Sequence, residues 1–277
     1  MTRLEVRKTY KLYVGGAFPR SESGRSYEVT SSDGSFLANA VRASRKDVRD
    51  AVAAARKATA GWAGLTAYNR GQVLYRVAEM MEARRADLVD VVAASEGKKG
   101  AARQVEAAID TWVWYAGWCD KLTQVAGNLN PVAGPYFNIS APEATGVVGL
   151  VAPEAPSLMG LVERLAPVVC GGNATVVLAS EAHPFPAIEL AECLATSDVP
   201  GGVVNLLSGR KDELSPVLAG HLDVDSLCVD GVPDGLVIDV ERLAAENVKR
   251  VVRVDQRGPH AITAFMDVKT VWHPKGA

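Results

Sequence analysis

From residue 145 onward the chain alternates short apolar runs with segments of helical periodicity. The runs "TGVVGLVAP", "ATVVLAS", "GVVNLLSG" and "VDSLCVDG" have the length of strands and end in turn residues. Helices are predicted between them at 158–169, 186–195 and 213–219. Strands joined by such helices form right-handed βαβ units, and continuous apolar strands fit a sheet covered on both faces. The sequence therefore predicts an α/β fold with a parallel sheet and flanking helices.

The first 127 residues are predicted to be mainly helical. Ser44 and Asp47 have the spacing of a capping box, so a helix begins there. A second helical pattern includes 73–92, and a third spans about 101–125. The third carries four aromatic residues, Trp112, Trp114, Tyr115 and Trp118. Aromatic residues at this spacing are more typical of a core or an interface than of a cofactor site.

Composition argues against several classes of partner. The 30 basic and 32 acidic residues leave a formal net charge of -2, which indicates no surface for nucleic acid or an anionic membrane. No segment resembles a signal peptide or a membrane span of about 20 apolar residues. These features favour a cytoplasmic protein.

The cysteines give no sign of a disulfide or a metal site. The four residues are far apart and form no CxxC pair; they are Cys119, Cys170, Cys193 and Cys228. Neither a disulfide framework nor a zinc site is therefore indicated.

Several segments, in their order, resemble the aldehyde dehydrogenase superfamily. They include "KLYVGGAF", "AAIDTWVWYAGWCDKL", "GVVGLVAP", "LAPVVCGGNATVVLASE", "VPGGVVNLLSG", "HLDVDSLCVDG" and the closing "MDVKTVWHP". The resemblance covers about 11–231 and about 262–274. It implies a Rossmann-like NAD(P)-binding domain over 1–127 and 144–255. It also implies a small antiparallel oligomerisation sheet from 128–143 and 256–277.

The family's catalytic segments have no counterpart here. Members carry a cysteine nucleophile in a Gly-Gln-Cys type segment and a glutamate base in a Glu-Leu-Gly-Gly type segment, and neither occurs in this sequence. Their loop after the strand like "GVVGLVAP" reads Pro-Trp-Asn, and the Asn amide binds the oxyanion. Alignment on Pro153 places Glu154 at the tryptophan and Ala155 at the asparagine. The resemblance thus implies a truncated member without a catalytic domain, with no catalytic residues and no enzyme activity of its own.

Cofactor binding is a separate question. The family's Lys-Pro-Ser-Glu type segment, which addresses the adenosine ribose, reads "LASEAHP" here, so Glu181 is kept and the lysine is not. The Gly-Ser-Thr type turn for the pyrophosphate becomes "DGVPDG", which keeps Gly231. Pro233 removes a backbone donor, while Asp230 and Asp234 add negative charge. The resemblance marks Glu181 and Gly231 as vestigial cofactor-binding residues. It allows NAD(P) binding but implies no cofactor firmly.

Two further residues near strand ends could carry chemistry. Cys228 could act as a nucleophile, but no neighbouring cation or helix start is present to lower its pKa, which favours a buried structural thiol. Glu154 could act as a general base. Without a nucleophile beside it, a solvent-facing or salt-linked carboxylate is favoured.

The closing segment indicates assembly. Residues 262–272 alternate as a long strand without a hairpin partner beside it in sequence. Such an edge invites association with another chain, although pairing within the same chain is the alternative. From the family's oligomerisation sheet we expect seven interface residues: Tyr136, Phe137, Phe265, Met266, Val268, Val271 and Trp272.

The sequence therefore predicts a catalytically inactive aldehyde dehydrogenase-like subunit. Its expected partner is a second copy, or a full-length NAD(P)-dependent aldehyde dehydrogenase in a hetero-oligomer. The alternatives are an NAD(P)-binding module and an oxidoreductase that contributes to aldehyde oxidation only within a complex. The stretch "FPRSESGRSY" is similar to the non-catalytic second unit of fused double aldehyde dehydrogenases.

Overall fold

The computed structural model describes residues 8–254 and 256–276. The helices are Arg45–Ala63 (α1), Ala67–Ala83 (α2), Arg85–Glu96 (α3), Ala101–Ala116 (α4), Leu122–Ala126 (α5), Ser157–Cys170 (α6), Phe185–Ala195 (α7), Lys211–Ala219 (α8), Val237–Ala245 (α9) and Pro259–Thr263 (α10). The strands are Ser26–Thr30 (β1), Phe36–Val41 (β2), Asn128–Asn130 (β3), Tyr136–Ala144 (β4), Val147–Val151 (β5), Ala174–Leu178 (β6), Val204–Leu207 (β7), Ser226–Cys228 (β8), Arg250–Val252 (β9) and Met266–Pro274 (β10).

Five strands form the predicted parallel sheet, in the order β7-β6-β5-β8-β9. The chain runs outward from β5 through β6 and β7, and then returns to β8 on the other side of β5. Helices α6 to α9 make the crossovers. This reversal of strand order is the arrangement of a doubly wound α/β fold. The predicted fold class is confirmed.

The side chains of β5 alternate between two hydrophobic clusters. Val148 and Leu150 join a cluster that includes residues of α2, α4, α6 and α7. Val147 and Val151 join the cluster on the opposite face, with residues of α1, α8 and α9. All five residues of β5 are buried. The sheet is therefore covered on both faces, as its continuous apolar strands predicted.

The helical half begins where the sequence predicts. Ser44 Oγ accepts a hydrogen bond from the Asp47 N–H (3.3 Å), and the Asp47 carboxylate accepts one from the Ser44 N–H (2.7 Å), which completes the capping box. The predicted second helix is divided into α2 and α3 at Arg84. Trp112 and Tyr115 on α4 are fully buried, which confirms the core alternative for these aromatic residues.

A second, antiparallel sheet has the order β10-β4-β3. β10 pairs with β4 along its whole length, from Met266 opposite Ala144 to Pro274 opposite Tyr136. The closing strand therefore pairs within its own chain along one edge. Within residues 8–254 and 256–276, no strand pairs with its other edge. β1 and β2 form a separate two-stranded sheet.

The closing strand starts later than its alternating pattern predicts. Ile262 belongs to α10, and the strand begins only at Met266. The side chains of Phe265 and Met266 are buried in the core cluster that contains α6. Both side chains pack within the chain's own core, which differs from their predicted exposure at an interface.

The side chain of Asn173 attaches the small sheet to the parallel sheet. Its Oδ1 accepts hydrogen bonds from the Gly146 N–H (2.9 Å) and from Thr145 Oγ1 (3.1 Å). Its Nδ2 donates to the carbonyl oxygens of Phe265 (3.0 Å) and Val168 (3.3 Å). Asn173 is fully buried. One satisfied amide thus joins the start of β5, the end of α6 and the entrance to β10.

The structure predicts that the centre of the sheet tolerates no extra methyl group. A Cβ added to Gly149 on β5 would lie 2.7 Å from Leu227 Cδ2 and 2.9 Å from Leu218 Cγ. We expect Gly149→Ala to lower the free energy of unfolding by about 1–3 kcal/mol. Gly61→Ala on α1, where a Cβ meets no atom within 4 Å, is the matched control. It should raise stability by about 0.5–1 kcal/mol in the same urea titration. Equal effects of the two substitutions would contradict this account.

Candidate functional site

The candidate site lies at the carboxyl edge of the parallel sheet. The loops that follow β5, β6, β7 and β8 meet here and bring together Glu154, Glu181, Lys211 and Gly231. Ligands of doubly wound sheets bind at this edge, close to the point where the strand order reverses. The two predicted cofactor residues, Glu181 and Gly231, therefore lie in the region where the family resemblance places them.

A buried lysine occupies the middle of this edge. The Lys211 side chain is 2% exposed, donates a hydrogen bond to the carbonyl oxygen of Ala152 (2.6 Å) and forms an ion pair with Glu154. Burial lowers the pKa of Lys211, although the Glu154 carboxylate opposes that shift. The sequence did not indicate this residue, because Lys211 precedes two acidic residues and resembles a solvated helix start.

Glu154 is a salt-linked carboxylate, as the sequence favoured. Besides Lys211, it accepts hydrogen bonds from Ser180 Oγ (2.8 Å) and from the Ala182 N–H (2.9 Å). Partial burial raises the pKa of Glu154, but its bonds to Lys211, Ala182 and Ser180 outweigh burial and hold the pKa below the usual range. The carboxylate stays charged near neutral pH and is committed to partners within the chain.

The second predicted cofactor carboxylate is also engaged. Glu181 accepts a hydrogen bond from the Lys211 N–H (2.9 Å), at the start of α8, and pairs with the Arg210 guanidinium. That guanidinium lies 5.3 Å from the ring centre of Tyr27, whose hydroxyl donates to the Glu181 carbonyl oxygen (3.1 Å). A ribose would have to displace Arg210 before it could reach this carboxylate.

Gly231 serves the packing of the sheet. Its N–H donates to the carbonyl oxygen of Val151 (3.0 Å), and a Cβ at this position would overlap the carbonyl oxygen of Ala152. The preceding Asp230 is bound by the Arg164 side chain (Nε to Oδ2, 2.7 Å). Only glycine fits this close approach of two backbones, and its donor is not available to a phosphate.

Two helix N-termini at this edge, those of α6 and α8, are already capped by side chains of the chain. At the start of α6, the Ser157 N–H donates to the Glu96 carboxylate (2.8 Å), and the N–H groups of Leu158 and Met159 donate to Gln104 Oε1 (2.9 and 3.2 Å). Glu181 does the same for α8. A carboxylate at a helix N-terminus satisfies the free donors and the helix dipole that would otherwise attract a phosphate.

The two carboxylates at this edge are not free to bind an NAD(P) cofactor. A cavity of about 420 Å³ opens at this edge, between the β1–β2 hairpin and the loops that carry Glu154 and Glu181. An anionic group that entered this cavity would meet two carboxylates whose countercharges are already paired. Glu154 and Glu181 thus have their charges neutralised by Lys211 and Arg210 of the same chain.

None of the four cysteines lies in this site, and all four are buried. Burial, followed by the nearby Asp230 carboxylate, raises the pKa of Cys228 to about 12, so it is a structural thiol, as predicted. The sulfur atoms of Cys119 and Cys170 lie 3.6 Å apart, a pairing that the sequence did not indicate. In the part of the chain that the structure describes, no cluster of three potential metal ligands occurs, and no helix is long and apolar enough to cross a membrane.

The small sheet carries the rest of the predicted interface. Tyr136, Phe137, Val268, Val271 and Trp272 are exposed, on both faces of the sheet. Trp272 contacts Tyr136 edge to face, with ring centres 5.8 Å apart.

The polarity of the small sheet is reversed. The face whose central residues are buried by the chain carries a hydrogen-bonded polar row: Asn130, Asn138, Ser140 and Thr270. On the other face, Leu129, Ile139 and Val271 lie directly opposite one another across the three strands. Their exposed fractions are 67%, 47% and 49%. The sheet therefore presents an apolar row to its surroundings, which soluble monomers normally bury.

Removal of Glu154 and removal of Lys211 should lower the free energy of unfolding by different amounts. Glu154→Gln leaves a buried ammonium uncompensated, and we expect a loss of about 1–2 kcal/mol in the free energy of unfolding, since Glu154 is partly solvated. Lys211→Met leaves a carboxylate that reaches water and should cost less. Because the pKa of Glu154 is lowered on folding, its contribution is present above the ordinary glutamate pKa and is lost as pH falls through the folded value. Equal losses for both variants in urea unfolding at neutral pH would contradict this asymmetry.

Comparison with known proteins identifies the family of this chain. The profile of the "Aldehyde dehydrogenase family" matches residues 18–270. Cytosolic 10-formyltetrahydrofolate dehydrogenase of Mus musculus is 30% identical over 275 residues, which are 96% of this chain and 30% of that protein. Retinal dehydrogenase 2 of Homo sapiens is 29% identical over 273 residues, 96% of this chain and 52% of that protein. The chain thus spans about half or less of the length of these relatives.

Solved structures give the same result. HpcC from Thermus thermophilus superposes with a TM-score of 0.84 and 28% identity, over 89% of this chain and 48% of that one. PnpE, solved in complex with nicotinamide adenine dinucleotide, superposes with a TM-score of 0.82 and 26% identity, over 88% and 50%. The Rossmann-like parallel sheet, the small antiparallel sheet and the profile match together show that this chain belongs to the aldehyde dehydrogenase family.

Proposed function

We propose that this chain is a catalytically inactive aldehyde dehydrogenase-like subunit, which acts as an assembly or regulatory partner of itself or of a full-length NAD(P)-dependent aldehyde dehydrogenase. The observation that carries the proposal is the exposed apolar row of the small sheet, formed by Leu129, Ile139 and Val271. Two further features support the proposal. They are the free edge of β10 and the chemistry of the candidate site.

The apolar row supports a surface that is buried in an assembly. Three aliphatic side chains in one line across a sheet expose area that gains about 25 cal/mol per Å² when it is removed from water. The polar row, Asn130 to Thr270, lies on the opposite face, where a monomer would be expected to place its aliphatic residues. Aliphatic side chains on the outward face suit a subunit in which a partner covers that face.

The free edge of β10 adds a second means of contact. From Asp267 to Pro274 every residue of the strand is exposed, and its outward N–H and C=O groups can pair with another strand. Lys269, which pairs with Glu143 on β4, places a charge within the strand. A lysine on an edge limits unspecific sheet growth, so the edge favours one partner over open aggregation.

The candidate site supports the absence of chemistry. The loop after β5 offers Glu154, whose charge is neutralised by Lys211, and Ala155, which has no side-chain donor. Loss of one oxyanion donor alone lowers rates by about 10²–10³. The four thiols of the chain are buried, and the pKa values of Cys193 and Cys228 are raised to about 12, mainly by burial. No nucleophile, base and donor converge at this edge in the part of the chain that the structure describes.

The assembly proposal predicts an oligomer that one charge can disrupt. We expect the purified chain to have at least twice the monomer mass of 29.3 kDa in size-exclusion chromatography with light scattering. Ile139→Lys should convert it to the monomer, because a lysine in the apolar row would lose its hydration in the interface.

Leu222→Lys is the matched control, since Leu222 is an equally apolar, 77% exposed residue in the turn after α8. It should leave the mass unchanged. Native mass spectrometry of the tagged chain from its own cell distinguishes a second copy from a full-length relative. A monomeric chain in both settings, or monomers from both variants, would overturn the proposal.

The closed charge network predicts weak cofactor binding. Calorimetric titration of the chain with NAD⁺ or NADH should give no saturable heat up to about 1 mM, because Glu154 and Glu181 are engaged with Lys211 and Arg210 and would have to be released first. A full-length NAD-dependent aldehyde dehydrogenase, titrated in the same buffer, is the positive control. A micromolar dissociation constant for this chain would favour an NAD(P)-binding module instead.

A further inference from the structure

We propose that Cys119 and Cys170 are a redox-responsive pair, which a peroxide converts to a disulfide between the segment after α4 and the end of α6. The pair lies in the helical layer, away from the carboxyl edge of the parallel sheet. It is a modification site that neither the family resemblance nor the proposed assembly role requires.

The geometry of the pair carries the proposal. The two sulfur atoms lie 3.6 Å apart, and both contact the carbonyl oxygen of Tyr115, at 3.6 Å from Cys119 and 3.3 Å from Cys170. A disulfide requires about 2.05 Å, so the sulfur atoms must approach by about 1.5 Å. Cys119 lies in the turn after α4 and Cys170 is the last residue of α6. Both are placed where a helix ends, and a small movement there breaks no interior helical hydrogen bond.

A buried cation lies beside the pair. The Arg70 side chain is 9% exposed and donates to the carbonyl oxygens of Cys170 (3.0 Å) and Leu65 (3.3 Å). Among residues 8–254 and 256–276, no carboxylate forms an ion pair with it. Hydrogen bonding from Cys170, and then the positive charge of Arg70, lowers the pKa of Cys119. The pKa of Cys170 is raised by the same contact and by burial, so Cys119 is the thiol that ionises first.

A cavity at the surface is lined by residues on both sides of Cys119 in the sequence, although not by Cys119 itself. It measures about 320 Å³ and lies between α2 and α4, with Gly71, Ala116 and Asp120 among its lining residues. A Cβ added to Gly71 would lie 2.9 Å from the Ala116 carbonyl oxygen and 3.6 Å from Cys119 Cβ. Gly71 thus places the cavity next to the Cys119 backbone segment, and an oxidant as small as hydrogen peroxide fits the cavity.

The proposed reaction balances with hydrogen peroxide as the oxidant. The Cys119 thiolate attacks one peroxide oxygen and the O–O bond breaks, which gives a sulfenic acid and a hydroxide that takes the proton released by Cys119. The Cys170 sulfur then attacks the Cys119 sulfur, the S–O bond breaks, and the departing hydroxide leaves as water with the thiol proton of Cys170. Two thiols lose two electrons in total, and one peroxide becomes two waters.

The chain contains its own controls. Cys193 and Cys228 are as buried as the pair, and burial raises the pKa of each to about 12. Neither has another thiol in contact within the described part of the chain. Burial alone therefore cannot explain a reaction confined to Cys119 and Cys170.

The test is a timed treatment of the full chain with hydrogen peroxide, followed by alkylation of the remaining thiols and peptide mapping by mass spectrometry. We expect a Cys119–Cys170 linked peptide, about 2 Da lighter than the two reduced peptides, which dithiothreitol reverses. It should form about tenfold faster, or more, than any product at Cys193 or Cys228, since the thiolate fraction changes tenfold per pKa unit. Cys119→Ser and Cys170→Ala should each abolish the link, and Cys193→Ser should leave its rate unchanged.

Three results would overturn the proposal. They are four freely alkylated thiols after treatment, equal oxidation of all four cysteines, and sulfinic acid at Cys119 without any link to Cys170. Circular dichroism of the variants verifies their folding, and the unsubstituted chain alone decides the question if a variant fails to fold.

Discussion

The fold depends on the burial of β5 from both sides. Its neighbours β6 and β8 satisfy its backbone, and its side chains divide between two hydrophobic clusters that together contain most of the helices. A strand enclosed in this way leaves no room for charged side chains along its length. The charged residues Glu154, Glu181 and Lys211 are therefore confined to the loops at its carboxyl edge, where they are close enough to neutralise one another.

That edge is closed by the chain itself. Glu96 and Gln104 reach the N-terminus of α6 from the helical layer, and Glu181 reaches the N-terminus of α8. Lys211 then supplies the positive charge that the carboxylates need. In related folds an anionic ligand takes these positions. Here side chains of the same chain meet this electrostatic demand at the N-termini of α6 and α8.

The sequence predicts those elements of the structure that depend on contacts between residues close in the chain. The β runs from 147 to 228, the helices between them and the Ser44–Asp47 capping box follow from side-chain periodicity and spacing. The burial of Lys211 does not, because it depends on the carbonyl of Ala152 and on Glu154, which are distant in sequence. The contact of Cys119 with Cys170 joins residues 51 positions apart, and no pattern within either segment indicates it. Phe265 fits the alternating pattern of the closing strand, yet its side chain lies in the core cluster. Its carbonyl oxygen accepts a hydrogen bond from Asn173, a contact between residues that are distant in sequence.

That amide also determines how the two sheets are oriented. Both polar atoms of the Asn173 side chain form hydrogen bonds, to the start of β5 and to the entrance of β10. These bonds restrain the small sheet relative to the parallel sheet. Any complex built through Ile139 and Val271 inherits an angle that is fixed inside each monomer. The geometry of such an oligomer then depends partly on Asn173, which is fully buried inside each subunit. A substitution of this one residue could change the angle between subunits although every residue of the interface is kept.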